Sequence, residues 1–272
     1  MSEANPVLNP NYQYQAVKAE MRGPVFEITL ARPERLNTFN AAMQRDFTAL
    51  QLTIERNPDI RCVLIQAEGD RAFGAGADLS WFEQEWVTPR FRTEYRWIHD
   101  FFDCLERVEV PVIAAVFGTC ACGGLELAMA ADFRIAADDS RFGFTEGNIN
   151  LIPGSGGCSR LVKMIGPAWT KELVMAGEFI DAQRAMQVGL VTRVVPKAKL
   201  AEEARALADK LVKKAPQALG AAKAVINACQ SIDATTGRIL ERMAQSSLIL
   251  SNDHKEGVKA FREKRPPQYK GR

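Results

Sequence analysis

The sequence predicts a mixed α/β fold in which strands and helices alternate before a helical C-terminal region. Apolar runs rich in Val and Ile alternate with amphipathic stretches of helical period over about the first 195 residues. Three glycine turns, at 74–78, 122–124 and 154–157, each lead into a helical pattern. Helical patterns then dominate to the end. We therefore predict two regions, a core at 1–195 that carries the active site and a helical region at 196–272.

The N-terminal quarter is predicted to form strands around one helix. Alternation at 14–18 and the run PVFEITLAR at 24–32 favour two strands, and a polar loop follows. An amphipathic pattern at 40–57 favours a helix that ends at an Asn-Pro pair, since the residue before proline avoids helical backbone. The buried-type run at 61–69 favours another strand, and RAFGAGADL at 71–79 favours a glycine turn that enters a helix.

The central segment repeats this alternation. One aromatic-rich helical pattern runs to about Val108, and the apolar run VPVIAAVFG at 110–118 favours a strand. A glycine turn then opens the helix that contains Glu126. DFRIAADD and RFGF favour further strands, and IPGSGGCSRL is a third glycine loop that opens a helix.

The last hundred residues are predicted to be mostly helical. The strand GLVTRVV at 189–195 is the main interruption. The predicted helices are 167–177, 182–188, 198–214, 216–230, 236–250 and 253–264.

Composition excludes several classes of protein. The 272 residues are 47% hydrophobic and 25% charged, and the net charge of +2 argues against binding to nucleic acid or to an anionic membrane. Neither a signal-type N-terminus nor a run of about eighteen apolar residues occurs, so we expect a cytoplasmic location and no membrane span.

Histidine and cysteine offer little chemistry here. The two histidines, His99 and His254, have no nearby nucleophile motif, and no cysteine–histidine set has zinc spacing. We therefore expect no metal site, and we expect thiols in a reducing compartment. Acid–base chemistry then falls to carboxylates. The six cysteines are at 62, 104, 120, 122, 158 and 229.

Two glutamates stand out from their surroundings. Glu126 lies among apolar residues in CACGGLELAMAAD, where an isolated carboxylate is costly to ionise. Glu146 precedes an uncharged, partly apolar loop, and a single glutamate in such a place is most often a solvated loop residue or a helix cap. Taken together, two carboxylates that flank a substrate can divide the roles of acid and base.

The glycine turns predict anion or oxyanion sites, because the first N–H groups of a helix lack intrahelical partners. Each turn alone is also consistent with a simple tight turn. A dinucleotide site is disfavoured, because GAGADL lacks the third glycine of GxGxxG and does not follow a leading βαβ strand, and GSGG lacks the spacing.

Several blocks together resemble the crotonase, or enoyl-CoA hydratase/isomerase, superfamily. They occur in family order over about residues 14–268: ARPERLNTFN, RAFGAGADL, VPVIAAVFGTCACGGLELAMAADFRIA, FTEGNINLIPGSGGCSRL, AQRAMQVGLVTRVV and EGVKAFREKRPPQY. The resemblance implies a spiral of ββα units followed by helices that mediate trimer assembly, with trimers often pairing into hexamers.

The resemblance also implies a role for each site residue. The N–H groups of Ala77 and Gly123 match those that hold the thioester oxygen. Glu126 matches the water-activating glutamate, and Glu146 matches the glutamate that exchanges a proton at the α-carbon. Gly154 matches the glycine whose N–H helps to hold the water. The implied reaction is the syn addition of water to an enoyl-CoA in fatty-acid or related metabolism, with CoA as part of the substrate and no separate cofactor.

The implied CoA contacts come from three parts of the chain. A basic, solvated helix end is the alternative explanation for the C-terminal part. The residues that match family contact positions are Arg35, Leu36, Ala75, Ala77, Asp78, Leu79, Gly123, Phe261 and Lys264.

Three positions depart from the family pattern. Cys122 replaces the first glycine of a GGG run, Phe144-Thr145 replaces a Gln-Pro pair before the second glutamate, and Glu34 occupies a position that is often basic. The aromatic segment 81–102 is consistent either with an acyl-pocket wall or with ordinary helix packing.

Other functions remain open at this stage. An isomerase can work with one carboxylate at the Glu146 position, so the presence of Glu126 favours hydration without excluding isomerisation. Hydrolase and decarboxylase relatives are further alternatives. A non-catalytic CoA-binding or RNA-binding homologue is disfavoured by the two glutamates and by the small net charge.

Overall fold

The computed structural model describes residues 12–83 and 85–271. The strands in these ranges are β1 (Val17–Arg22), β2 (Val25–Leu30), β3 (Cys62–Ala67), β4 (Ala72–Gly74), β5 (Val112–Val116), β6 (Thr119–Ala121), β7 (Phe133–Ala137), β8 (Arg141–Gly143), β9 (Ile180–Asp181) and β10 (Arg193–Val195). The α-helices are α1 (Ala41–Arg56), α2 (Thr88–Glu94), α3 (Arg96–Arg107), α4 (Gly123–Met129), α5 (Leu161–Val174), α6 (Ala182–Gln187), α7 (Leu200–Val212), α8 (Pro216–Cys229), α9 (Ala234–Leu248) and α10 (Asn252–Arg262). Four short 3-10 turns join them, at Pro33–Arg35, Leu79–Trp81, Glu146–Ile149 and Lys197–Lys199.

Two sheets are built from alternate strands of the chain. The larger sheet has the order β1-β2-β3-β5-β7-β10 and is parallel except for the β1–β2 hairpin. The smaller sheet has the order β4-β6-β8-β9, with β4, β6 and β8 parallel. Three successive strand pairs, β3–β4, β5–β6 and β7–β8, each place one strand in the larger sheet and the next in the smaller sheet before a helical segment. This arrangement confirms the predicted spiral of ββα units.

The inner strands of the large sheet are buried on both faces, which explains why β3 and β5 contain continuous apolar runs. Successive side chains of a strand point to opposite faces. In β3, Val63 and Ile65 therefore belong to the main core, whereas Cys62 and Leu64 pack in a second core that includes α7. The later helices α8, α9 and α10 bury few side chains within the chain.

Several element boundaries differ from the predictions. The first strand is wrong at 14–18, because β1 pairs with β2 in a hairpin whose turn uses Gly23 at φ 61°, and this register carries β1 to Arg22. The predicted aromatic helix is two helices, α2 and α3, that meet at Tyr95. The predicted helix at 167–177 is the second half of α5, which is kinked at Gly166 (φ 75°, ψ 168°).

Among the helices of the described residues, none combines the length and the apolar character needed to cross a membrane.

A buried carboxylate joins α1 to the segment that leads into β1. Asp46 is fully buried, and its Oδ2 accepts hydrogen bonds from the N–H groups of Gln15 (3.0 Å), Ala16 (2.6 Å) and Val17 (3.2 Å). Its Oδ1 accepts a hydrogen bond from the Tyr12 hydroxyl, with 2.6 Å between the two oxygens. One side chain therefore satisfies three backbone donors that would otherwise be left without a partner.

We expect Asp46→Ala to lower the free energy of unfolding by about 3 kcal/mol, because buried N–H groups would lose a charged acceptor. Urea denaturation measures the change. Asp59→Ala removes an exposed carboxylate and serves as the matched control, with an expected change within about 0.5 kcal/mol. Equal stability of the two variants would contradict the role of Asp46.

Candidate active site

The residues predicted to carry the chemistry line one cavity of about 770 Å³. Ala77, Gly123, Glu126, Glu146 and Gly154 all border it. They come from three separate segments of the chain, which follow β4, β6 and β8. A second cavity of about 1070 Å³ lies between α3, α5 and α8 and also borders Gly154. We assign the site to the first cavity, because that cavity contains both acidic side chains.

Glu126 lies on α4, a helix whose residues are all buried, and its side chain points at the third glycine loop. The residue is 2% exposed. Its Oε1 accepts the N–H groups of Ser155 at 2.6 Å and of Gly157 at 2.8 Å. Burial raises the pKa of Glu126 to about 7, with a further increase from Glu146, while the two N–H donors oppose the shift. A carboxyl with this pKa exchanges a proton readily near neutral pH.

The third glycine loop is shaped to carry these donors. A Cβ at Gly157 would lie 2.2 Å from the Pro153 Cβ and 3.0 Å from the Glu126 Oε1, so only glycine fits. Arg160 holds the loop from the other side, with its Nη1 donating to the Ser155 carbonyl at 2.7 Å and its Nε donating to Glu106 at 2.7 Å. The loop therefore presents its N–H groups in a fixed direction.

The second acid, Glu146, begins the 3-10 turn Glu146–Ile149 and is partly buried. Its Oε2 accepts the N–H of Thr145 at 3.0 Å. Burial raises the pKa of Glu146, and the same carboxyl raises the pKa of Glu126 by Coulomb repulsion. The two acids thus share one cavity, and the charge of Glu146 favours the protonated form of Glu126.

Two backbone turns meet at the point where an oxyanion would be held. Gly123 is the first residue of α4, so its N–H lies outside the intrahelical ladder. Ala77 forms a parallel bridge with Phe39. The Phe39 N–H donates to the Gly76 carbonyl at 2.8 Å, and the Asp78 N–H donates to the Phe39 carbonyl at 2.9 Å. In such a bridge the N–H of Ala77 points away from Phe39.

Glycines allow these two turns to touch. Gly76 has φ 100°, and a Cβ on it would lie 2.5 Å from the Cys122 Cβ and 3.2 Å from the Gly123 nitrogen. A Cβ on Gly124 would lie 2.1 Å from the Gly74 oxygen. Close packing of glycine backbone therefore brings the Ala77 and Gly123 turns together.

The residues predicted to contact CoA divide into two groups. Arg35, Leu36, Ala75, Asp78 and Leu79 all border the cavity. The Ala75 N–H donates to the Leu36 carbonyl at 3.1 Å, and Asp78 pairs with Arg32 at 3.2 Å, so the segments are tied together.

The other two predicted CoA contacts lie elsewhere. Phe261, at the end of α10, is 86% exposed, and Lys264 follows it with φ 52°. Neither residue is part of the cavity lining of its own chain. Within the described residues, the structure therefore does not bring them to the site.

The aromatic segment contributes both to the core and to the cavity lining. Phe101 and Phe102 are fully buried in the core, where Phe101 stacks on Phe47 at 4.4 Å. Phe91 and Tyr95 border the cavity instead and stack at 5.2 Å with an interplanar angle of 14°. The remaining members of this aromatic wall are Trp81, Phe82 and Trp97.

Sequence reasoning missed two kinds of contact. It did not foresee the N–H groups of Ser155 and Gly157 as donors to Glu126. The role of the Gly154 N–H in holding a water stays a prediction. It also missed Tyr95, whose hydroxyl lies 3.2 Å from the Ser155 Oγ. The GSGG run signals several free N–H groups, but which of them reaches the carboxylate depends on the loop conformation.

Comparison with known proteins agrees with this geometry. Residues 20–272 match the sequence profile of the enoyl-CoA hydratase/isomerase family. A short-chain-enoyl-CoA hydratase of Clostridium acetobutylicum is 35% identical over 90% of this chain and 94% of its own. A carnitinyl-CoA dehydratase of Citrobacter koseri is 37% identical over 92% and 96% of the two chains.

A solved structure shows the same fold. The crystal structure of an enoyl-CoA hydratase from Bacillus anthracis superimposes with a TM-score of 0.90 at 36% identity, over 95% of this chain and all of that one. The sequence match and the structural match both extend over nearly the whole described chain. The chain therefore belongs to the enoyl-CoA hydratase/isomerase family.

Proposed function

We propose that the protein is an enoyl-CoA hydratase, which adds water reversibly and with syn geometry to a 2-enoyl-CoA thioester. The observation that carries this proposal is the pair Glu126 and Glu146 in one cavity, beside the N–H groups of Ala77 and Gly123. The relatives named as hydratases support the same reaction. An isomerase needs only one acid to move an α-proton, so a second acid beside the donors of a glycine loop favours hydration.

The thioester carbonyl is the first group to be activated. In our proposal its oxygen binds between the N–H groups of Ala77 and Gly123, and negative charge grows on it as water attacks. Donors of this kind can stabilise such charge by about 3 kcal/mol each. The polarised carbonyl draws electrons from the conjugated double bond, which makes the β-carbon electrophilic.

The two acids then divide the proton transfers. Glu126 accepts a proton from water as the water oxygen bonds to the β-carbon, and Glu146 delivers its own proton to the α-carbon. Because Oε1 of Glu126 is held by two N–H groups, we assign water binding to Oε2, with the Gly154 N–H as a second support. Each turnover therefore leaves Glu126 protonated and Glu146 ionised, and proton exchange with solvent restores the ionised Glu126 and the protonated Glu146.

A panel of enoyl-CoA thioesters with product identification tests the proposal. We expect a crotonyl-type thioester to give the 3-hydroxyacyl-CoA, with oxygen-18 from labelled water at the β-carbon, because water is the attacking group. Mass spectrometry of the product measures the label. Formation of an unlabelled 3-enoyl isomer with no hydroxyacyl product would instead assign the site to isomerisation.

We further propose assembly as a homotrimer, or as a dimer of trimers. The C-terminal helices expose large apolar side chains, with Ile226 at 64%, Met243 at 63%, Leu250 at 77% and Phe261 at 86% exposure. Such surface is typical of an interface between subunits. Because Phe261 lies away from the cavity of its own chain, it is suited to contact CoA bound to a neighbouring subunit.

Light scattering measures the assembly directly. We expect three or six times the chain mass of 30.1 kDa, because burial of this apolar surface favours association. A particle of one chain mass would contradict the assembly.

The division near residue 195, the cytoplasmic location and the lack of a separate cofactor stay predictions of the sequence.

A further inference from the structure

Two departures from the family pattern contact each other in the structure. Cys122 stands where the family has glycine, and Thr145 stands where it has proline before the second acid. The Cys122 Sγ lies 3.2 Å from the Thr145 Oγ1, although the residues are 23 positions apart. Both residues border the substrate cavity beside Glu146.

The backbone conformation at Cys122 is unfavourable for any residue other than glycine, which indicates a functional role for the side chain. The residue has φ 52° and ψ −130°, a conformation that favours glycine. Its N–H donates to the Gly143 carbonyl at 3.1 Å, a bond that glycine would make equally well. A strained residue retained at a site of this kind points to a role for its thiol.

The Cys122 side chain is a protonated thiol rather than a nucleophilic thiolate, and either Sγ or the Thr145 Oγ1 can donate in their 3.2 Å contact. Burial raises the pKa of Cys122 to about 12, so the S–H stays protonated at neutral pH. The thiol also interacts with the Glu146 carboxyl, and this interaction lowers the pKa of Glu146 against the effect of burial. Thr145 holds the same carboxyl through its backbone N–H, at 3.0 Å from the Glu146 Oε2.

We propose that Cys122 and Thr145 form a positioning pair that fixes the Glu146 carboxyl group toward the substrate α-carbon. The inference rests on the proposed function for the identity of the reaction. The thiol–hydroxyl contact ties the start of α4, which carries the Gly123 donor, to the residue that precedes Glu146. The proton donor and the thioester-oxygen donor are thereby held in a fixed relation. A loosely held acid would lose part of its catalytic effect even with the rest of the site intact.

Other titratable groups act on Glu146 as well. Tyr95, Cys158 and Glu126 interact with it electrostatically from the junction of α2 and α3, from the third glycine loop and from α4. A test must therefore change the donor at position 122 without changing these groups. Cys122→Ala and Cys122→Ser are suited to this purpose, because both keep a Cβ at the strained backbone and only serine keeps a donor.

The first readout is titration of Glu146 in the free protein, followed by NMR of carbon-13-labelled glutamate and assigned with Glu146→Gln. We expect the midpoint to rise in Cys122→Ala and Thr145→Val, and to return toward the wild-type value in Cys122→Ser. This readout needs no turnover, so it tests the pair even if the protein proves not to hydrate enoyl-CoA. Identical midpoints in the alanine and serine variants would overturn the proposal.

The second readout is the pH profile of hydration. We expect Cys122→Ala to lower kcat about tenfold with little change in KM, and to shift the profile to higher pH, with rescue by serine. Equal loss in the alanine and serine variants would indicate a merely structural role and overturn the proposal. If the alanine variant does not fold, Cys122→Gly removes both the donor and the strain and takes its place.

Discussion

Glu126→Gln is expected to lower kcat/KM for hydration by about 10³, while binding of CoA is retained. Glutamine has nearly the same shape, and its amide oxygen can still accept the N–H groups of Ser155 and Gly157. It cannot take a proton from water at neutral pH. Steady-state kinetics with a crotonyl-type thioester, together with calorimetry of CoA binding, measure the two effects separately.

The same substitution is expected to stabilise the protein above neutral pH. The pKa of Glu126 is raised from 4.5 to about 7 by burial, so the folded state holds this proton more tightly than the unfolded state. Stability from this group is therefore present below about pH 4.5 and is lost as pH rises to about 7. The free energy of unfolding falls by about 3 kcal/mol over this pH range. Glutamine does not ionise, so the variant keeps its stability as pH rises.

Urea denaturation at about pH 5 and about pH 8 measures the predicted difference. The free energy of unfolding of Glu126→Gln should exceed that of the wild type by an amount that increases with pH. Glu241→Gln changes an exposed carboxyl on α9 in the same way and is the matched control, whose difference from the wild type is not expected to change with pH. Wild-type turnover in Glu126→Gln would remove the assigned role, and parallel stability profiles would contradict the burial argument.

Glu146→Gln should reduce hydration by a comparable factor, since the amide cannot supply a proton to the α-carbon. Its effect on stability should be smaller than that of Glu126→Gln, because Glu146 is only partly buried and lies at the cavity rim. We expect both Glu126→Gln and Glu146→Gln to lose hydration activity, but mainly Glu126→Gln to gain stability. This difference would show that Glu126 is the more deeply buried acid. Full hydration activity in Glu146→Gln would contradict its role.

The prediction that the site residues lie together came from the family motifs and not from the pattern of hydrophobic residues. Ala77, the α4 residues Gly123 and Glu126, and Glu146 lie on three separate turns of the chain, and only the resemblance placed them together in advance. The structure does bring them to one cavity. The partners of Glu126 on the third loop could not be predicted, because they depend on the positive φ of Gly156 (110°) and on the contacts of Arg160.

The fold was predicted where the patterns are long. The helices α1 and α7 and the strand β3 carry enough apolar positions to show a period. The strands β4, β6 and β9 have two or three residues each and lie in or beside turns, so no period can be read from them. The smaller sheet therefore emerges only from tertiary pairing, and it is this sheet that leads into the Ala77 and Gly123 turns.

Gly124→Ala is expected to lower the free energy of unfolding by about 4 kcal/mol, because the new Cβ would overlap backbone atoms. It would lie 2.1 Å from the Gly74 oxygen, 2.5 Å from the Gly74 carbonyl carbon and 2.8 Å from its Cα. A flexible side chain can move away from such a contact, whereas a strand of a sheet cannot. Relief requires that α4 and β4 separate. Urea denaturation measures the loss.

Gly147→Ala is the matched control for this substitution. It adds the same methyl group at a glycine where a Cβ would meet nothing within 4 Å. We expect its free energy of unfolding to stay within about 0.5 kcal/mol of the wild-type value. The control applies to stability only, since Gly147 follows Glu146. Equal stability of Gly124→Ala and Gly147→Ala would show that the backbone contact between α4 and β4 is not needed.

The folded fraction of Gly124→Ala should also lose activity, for a reason separate from stability. Gly74 leads into the turn that carries Ala77, and Gly124 follows Gly123, so separating the two backbones moves the two thioester-oxygen donors apart. Loss of one well-placed donor lowers kcat by about 10² or more. We therefore expect kcat, measured at a temperature where the variant is fully folded, to fall by at least this factor. Because both acids are intact, a variant that is folded and fully active would place the oxyanion donors elsewhere in the cavity.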